Sequence, residues 1–192
     1  WDMVSAYAQT SGATEAVDWF FGVSGGQRGD YGAGKGGGSL ANTSWDRRSL
    51  SGSIGLQMDA LNRVDLQLRT DGIYNAGFRG SGANTISQDD RTNASLDLTY
   101  EGSTSDERTS WRAHAYVVQD QDEFKWASPV VRSGTAAAPG TSSDYNLRKL
   151  DIVGTRLQPR FKLAPGNDLL LGYDFERSKL RSDRVRVALP GG

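Results

Sequence analysis

The chain has 192 residues, with 22 Lys plus Arg against 23 Asp plus Glu, a single His, no Cys and 24 Gly. Without Cys there is no disulfide framework, thiol chemistry or thiolate zinc site, and one His excludes a His-rich metal cluster. A net charge of −1 gives no overall pull on nucleic acid, while five Trp, seven Tyr and six Phe are too aromatic for a disordered polymer.

No run of apolar residues approaches the ~20 that a helical membrane span needs. A transmembrane β-strand needs only ~9–11 residues with an apolar group at every second position, so the period of the pattern decides. In chain order, residues 2–9 give a weak first strand. Val17, Trp19, Phe21 and Val23 then alternate with polar or small neighbours, Phe20 excepted. Leu50, Ile54, Leu56 and Met58 follow, then Val64, Leu66 and Leu68, then Leu96, Leu98 and Tyr100. Trp111, Ala113, Ala115 and Val117 alternate with Arg112, His114, Tyr116 and Val118. Val153, Thr155, Leu157, Pro159, Phe161 and Leu163 make the longest series, Leu169, Leu171, Tyr173 and Phe175 the next, and residues 184–189 a weak last strand. The opposite parity carries Asp65, Gln67, Arg69, Asp97, Arg112, His114, Arg156, Arg160, Lys162, Asp174 and Glu176, a polar face.

The connections are expected at residues 10–15, 29–46, 60–62, 70–91, 101–110, 120–147 and 164–167, short and long in turn. Long Gly-, Ser- and Asn-rich loops all at one end of a sheet are unusual in a compact sandwich and usual in an outer-membrane barrel, whose periplasmic turns are tight. Tyr100, Trp111, Phe161 and Trp19 share apolar parity close to the short turns, as expected for an interfacial aromatic girdle. The predicted fold is therefore all-β, an antiparallel transmembrane β-barrel segment of about nine strands.

Three blocks carry a resemblance: residues 10–19, the hairpin at 56–66, and Leu163-Ala164-Pro165-Gly166-Asn167-Asp168-Leu169-Leu170-Leu171-Gly172-Tyr173-Asp174, with residues 71–80 adding to it. They resemble barrel segments of TonB-dependent outer-membrane receptors. The resemblance implies a barrel of about 22 strands closed by an N-terminal plug, which imports a ferric siderophore or haem with energy from the inner-membrane TonB complex. It also implies a bacterial outer-membrane location, in contact with lipid and lipopolysaccharide. On that reading residues 1–192 are a partial barrel domain, with the plug and the remaining strands outside it, acting in uptake rather than catalysis. Two other readings are a complete small outer-membrane barrel, as adhesin or enzyme, whose terminal strands would pair, and a soluble β-sandwich binding module with a second sheet.

His114 is the one candidate base or axial haem ligand, with Arg112 beside it on the same parity. The series Arg177, Lys179, Arg181, Arg184 and Arg186, read as part of a last hairpin, is expected either to guide an anionic chelate or to hold lipopolysaccharide phosphates. Residues 29–36 have phosphate-loop spacing, but Gly36 stands where magnesium needs Ser or Thr, so no nucleotide cofactor is predicted. Residues 28–30 spell an adhesion tripeptide by letter alone. Asp120, Asp122 and Glu123 are expected in a loop, as a solvated edge rather than a calcium site.

Overall fold

The computed structural model describes residues 2–77, 87–127, 131–133, 136–138 and 142–188, and every regular element among them is a strand. In chain order these are β1 (Met3–Ala13), β2 (Val17–Arg28), β3 (Tyr31–Gly32), β4 (Ser39–Leu40), β5 (Trp45–Gln57), β6 (Asn62–Tyr74), β7 (Gln88–Ser103), β8 (Thr109–Ala127), β9 (Val131–Ser133), β10 (Ala136–Ala138), β11 (Ser142–Ala164), β12 (Asn167–Leu170) and β13 (Tyr173–Ala188). β1, β2, β5, β6, β7, β8 and β11 lie side by side in that order, each antiparallel to the next. β12 and β13 follow one another along the free side of β11, so nine strands fill eight positions across one meander. β3 with β4 and β9 with β10 form two small separate ladders. β1 and β13 lie at opposite edges and do not pair, so the sheet is not closed into a barrel.

Because neighbours in the chain are neighbours in the sheet, connections alternate between its two ends. Residues 14–16, 58–61, 104–108 and 165–166 are short and lie at one end; the long ones lie at the other. The short turns carry their own chemistry. Thr14 Oγ1 accepts from Val17 N at 3.0 Å, Asp59 from Leu61 N at 2.8 Å, and Asp106 from Arg108 N at 3.1 Å. Backbone and side-chain donors hold the carboxyls of Asp59 and Asp106 below the usual carboxylate range: the Leu61 N–H first for Asp59, the Thr104 hydroxyl first for Asp106. Gly166, at φ +78, takes the left-handed position after Pro165 that a side chain would strain.

The register lines up the apolar residues in rows across the sheet. One row runs Trp19, Ile54, Leu66, Leu98, Ala115, Thr155, Phe175. The next, away from the short turns, runs Phe21, Gly52, Leu68, Leu96, Val117, Val153, Arg177. Along β11 the apolar series from Phe161 back to Val153 spans nine residues before Asp151 ends it, within the ~9–11 of a membrane-crossing strand. Trp19, Tyr100, Trp111 and Phe161 all lie within three residues of a short-turn end of their strands, and the Tyr100 and Trp111 rings are 6.2 Å apart.

Domains ordinarily bury such rows against a second layer, yet no second layer covers them among the described residues. Leu98 is 46% exposed, Val117 47% and Leu157 46%. The described residues that are buried are Gly22, Thr43, Gly55, Gly72, Ser87, Gly102 and Gly154, so no apolar side chain larger than hydrogen is among them. Sixteen or so half-exposed large side chains make an open apolar surface on the order of 1,000 Å², against ~300–600 Å² for the largest patch of a typical soluble monomer.

Several expectations are corrected here. The connections are shorter than the alternation of apolar residues predicts, because strands continue where both faces are polar and the two-residue signal disappears. β8 runs through Asp120, Asp122 and Glu123, which are therefore on a strand rather than in a loop, and no group of metal-ligating side chains occurs among the described residues. β13 is one continuous strand from Tyr173 to Ala188, returning along β11, so no connection or new hairpin interrupts the basic series at residues 177–183. Residues 29–36 lead through the β3–β4 ladder, with Lys35 and Gly36 at positive φ and no helix following, so the phosphate-loop spacing has no phosphate-loop structure. Arg28 and Asp30 are engaged in holding that loop: the guanidinium lies 4.2 Å from the Tyr31 ring centroid, and Asp30 accepts from Thr43 N at 2.8 Å. Neither the β1–β13 pairing of a complete small barrel nor the second sheet of a sandwich is present among the described residues.

Candidate functional site

On the polar face, two adjacent rows cross β7, β8, β11 and β13. One carries Thr99, His114, Arg156 and Asp174; the other carries Asp97, Tyr116, Gly154 and Glu176. His114 Nε2 lies 3.0 Å from Asp97 Oδ1, and the imidazole stacks on the Tyr116 ring with centroids 5.2 Å apart and planes at 23°. The Tyr116 hydroxyl donates to Glu176 Oε2 at 2.7 Å, reaching from β8 over β11 to β13. That span needs Gly154 beneath it: a Cβ there would come within 2.3 Å of the ring. Arg156 completes the group with an ion pair to Asp174.

The same device recurs nearer the short turns. Arg63 on β6 lies across Gly55 on β5 and pairs with both Asp65 at 2.6 Å and Asp18 on β2 at 2.8 Å. Arg112 pairs with its cross-strand partner Glu101 at 3.3 Å. Farther from the short turns, Arg47 pairs with Asp71 and Arg148 with Asp122. The polar face is thus a wall of cross-strand ion pairs and hydrogen bonds, hydrophilic but locally neutral.

An ionised carboxylate only accepts, so the contact with Asp97 places the proton of a neutral His114 on Nε2. Iron coordination through Nε2 would require breaking that bond. His114 is not part of a hydrolytic triad either: Ser110 lies four residues away on the same strand, roughly 13 Å at strand rise, and no hydroxyl bonds His114 among the described residues.

The five residues expected to bind ligand are not brought together. Arg112 and His114 lie on the polar face. Arg177, Lys179 and Arg181 pair with Val153, Asp151 and Lys149, whose parity is that of the apolar rows, so they lie on the other side of the sheet. Arg184 and Arg186 return to the polar face, where both approach Asp144. Sequence reasoning grouped the five basic residues because a hairpin hides their phase. It also missed Gly154, whose role as the floor under Tyr116 is visible only once the β8–β11 register is known.

No protein-family model matches the chain, and no curated protein matches it in sequence.

Proposed function

We propose that this chain forms part of an outer-membrane β-barrel of the TonB-dependent receptor class, which binds and imports a ferric siderophore, with the remaining barrel strands and a plug supplied by further polypeptide. The observation that carries this reading is the apolar face: rows of Trp, Phe, Leu, Ile and Val, half exposed and without a covering layer among the described residues, suit hydrocarbon and not water. The opposite face supports it by carrying most of the sheet's cross-strand ion pairs, as suits the lumen wall of a wide barrel, although Phe20, Ile73, Val118, Ile152 and Leu180 share that face. Short turns at one end and long connections at the other match periplasmic and external sides. His114, with Nε2 held by Asp97 and its ring stacked on Tyr116, is read as part of the polar wall's network rather than as a cargo ligand. The inner-membrane TonB complex would act through the plug.

Outer-membrane fractionation and growth under iron limitation test this together. The protein is expected in the outer membrane, with its loss abolishing growth on one ferric siderophore while growth on inorganic iron persists. Recovery in the soluble fraction, or growth on every chelate without it, overturns the proposal.

A further inference from the structure

Several glycines inside the strands are explained by a neighbour. Gly12 lies under the Trp19 ring, Gly102 under that of Trp111 and Gly154 under that of Tyr116, where a Cβ would strike the ring. Gly52 has no such reason. It is in the middle of β5, its φ is not positive, and a Cβ there would lie 3.6 Å from the Phe20 carbonyl oxygen and 3.7 Å from the Phe21 ring, which is ordinary contact. Glycine weakens a strand interior and commonly marks a place where another molecule comes close. On the apolar face Gly52 interrupts the row Phe21, Gly52, Leu68, leaving a notch of about 380 Å³ walled by Trp19, Phe21, Ile54, Leu66 and Leu68. Phe21, its cross-strand partner, stands beside the hole, 44% exposed. From Val17 to Val23 on β2 and from Leu56 back to Leu50 on β5, that face carries no charge.

Hydrocarbon solvates an exposed apolar face as well as protein does, so burial alone does not draw two barrels together in a bilayer; complementary shape does. A mobile acyl chain loses conformational freedom in a hole one side chain wide, whereas a ring already fixed on a strand loses little. The patch complements itself. Two like-oriented copies that pair symmetrically in one bilayer share a two-fold axis along the membrane normal. An axis between β2 and β5 sets each β2 against the other copy's β5: Phe21 against Gly52, Trp19 against Ile54, Val23 against Leu50. The exposed parts of this face from β1 to β6 amount to roughly 700 Å² per copy, about 1,400 Å² for the pair, within the ~1,200–2,000 Å² of a stable interface. We propose that the protein forms a two-fold dimer in the membrane, with Phe21 of each copy seated in the Gly52 notch of the other. The inference rests on the membrane reading above and concerns the side of the sheet away from the cargo.

The test uses the full polypeptide in phosphatidylcholine vesicles, labelled with donor or acceptor through S105C in a short turn, with energy transfer followed as the protein-to-lipid ratio falls. The wild type is expected to pair. G52L fills the notch and F21A removes the ring that enters it; each alone is expected to weaken pairing about tenfold or more, with insertion unchanged. F21V serves in place of F21A if that variant does not insert. A mixture of G52L with F21A is expected to recover pairing between unlike copies, because the first supplies the ring, the second supplies the notch, and the filled notch faces the position from which the ring was removed. A wild type that stays monomeric at every ratio, its notch covered by lipid alone, overturns the proposal. So does a dimer indifferent to both substitutions, or a mixture no better paired than either variant alone. Insertion without pairing defeats this inference alone; failure of the wild type to insert in any vesicle defeats the membrane reading and this inference with it.

Discussion

Leu98 lies in the middle of β7's apolar series, 46% exposed, with Leu66 and Ala115 on either side in its row. Replacing it with Arg separates the two environments that the apolar face could meet. In water an exposed Leu→Arg change is worth within ~0.5 kcal/mol either way. In hydrocarbon near the midplane it costs about 2–4 kcal/mol, a shift of roughly 30- to 700-fold in the folding equilibrium. Ala94, on the same face of β7, is four residues farther from the short turn. At strand rise and tilt that is roughly 13 Å along the strand and about 10 Å in depth, where the cost of Arg falls to ~0–1 kcal/mol. Thr99, on the polar face between Leu98 and Tyr100, should accept Arg at a cost within ~0.5 kcal/mol. Urea titration of the protein in vesicles, followed by Trp fluorescence, measures all three. The reasoning is refuted if Leu98→Arg costs no more than Thr99→Arg, or if Ala94→Arg costs as much as Leu98→Arg.

Two further outcomes follow from the polar face and the turns. Gly154→Ala drives a methyl into the Tyr116 ring and is expected to cost about 1–3 kcal/mol, with most of that cost gone in a Tyr116→Ala background, as a double-mutant cycle would read. Gly55→Ala meets the flexible end of Arg63 and the Asp65 carboxylate, side-chain ends that can shift, and is expected to cost less than Gly154→Ala in the same assay. The carboxyls of Asp59 and Asp106 are depressed from the ordinary 3.8 in the folded state, so the turn stabilisation they give is fully present above that value and is lost as pH falls through the depressed ones. Carboxyl chemical shifts measured by NMR between pH 5 and about pH 2 should titrate below 3.8 for both, with hydrogen-exchange protection of the Leu61 and Arg108 amides lost over the same interval.

The strands that face hydrocarbon in the proposed reading were legible as sequence because alternation is forced there: Val153, Leu157 and Phe161 must share a side, and the residues between them must not. Asp120, Asp122 and Glu123 were not legible as strand, since a ladder whose two faces are both polar keeps its backbone hydrogen bonds and loses its apolar period. The same holds for residues 177–183 of β13, whose charged side chains carry no apolar alternation while the backbone continues its ladder with residues 147–153. Arg177, Lys179 and Arg181 were visible as a charge series, but their side of the sheet depended on β13 running unbroken. Gly154 carried no signal of its own, because its function is defined by the residue opposite. The His114–Asp97 contact likewise joins residues 17 apart through the β7–β8 register, which no local pattern encodes.

The chain has no Cys, so single cysteines can be introduced along β7 from residue 94 to 100 and spin-labelled without background. The measurement is the accessibility of each label, in lipid vesicles, to oxygen and to a water-soluble nickel chelate. Labels at 94, 96, 98 and 100 are predicted to favour oxygen and those at 95, 97 and 99 the chelate, alternating strictly. Uniform access to the chelate, or shielding of 96 and 98 from both reagents, would contradict contact between this face and hydrocarbon.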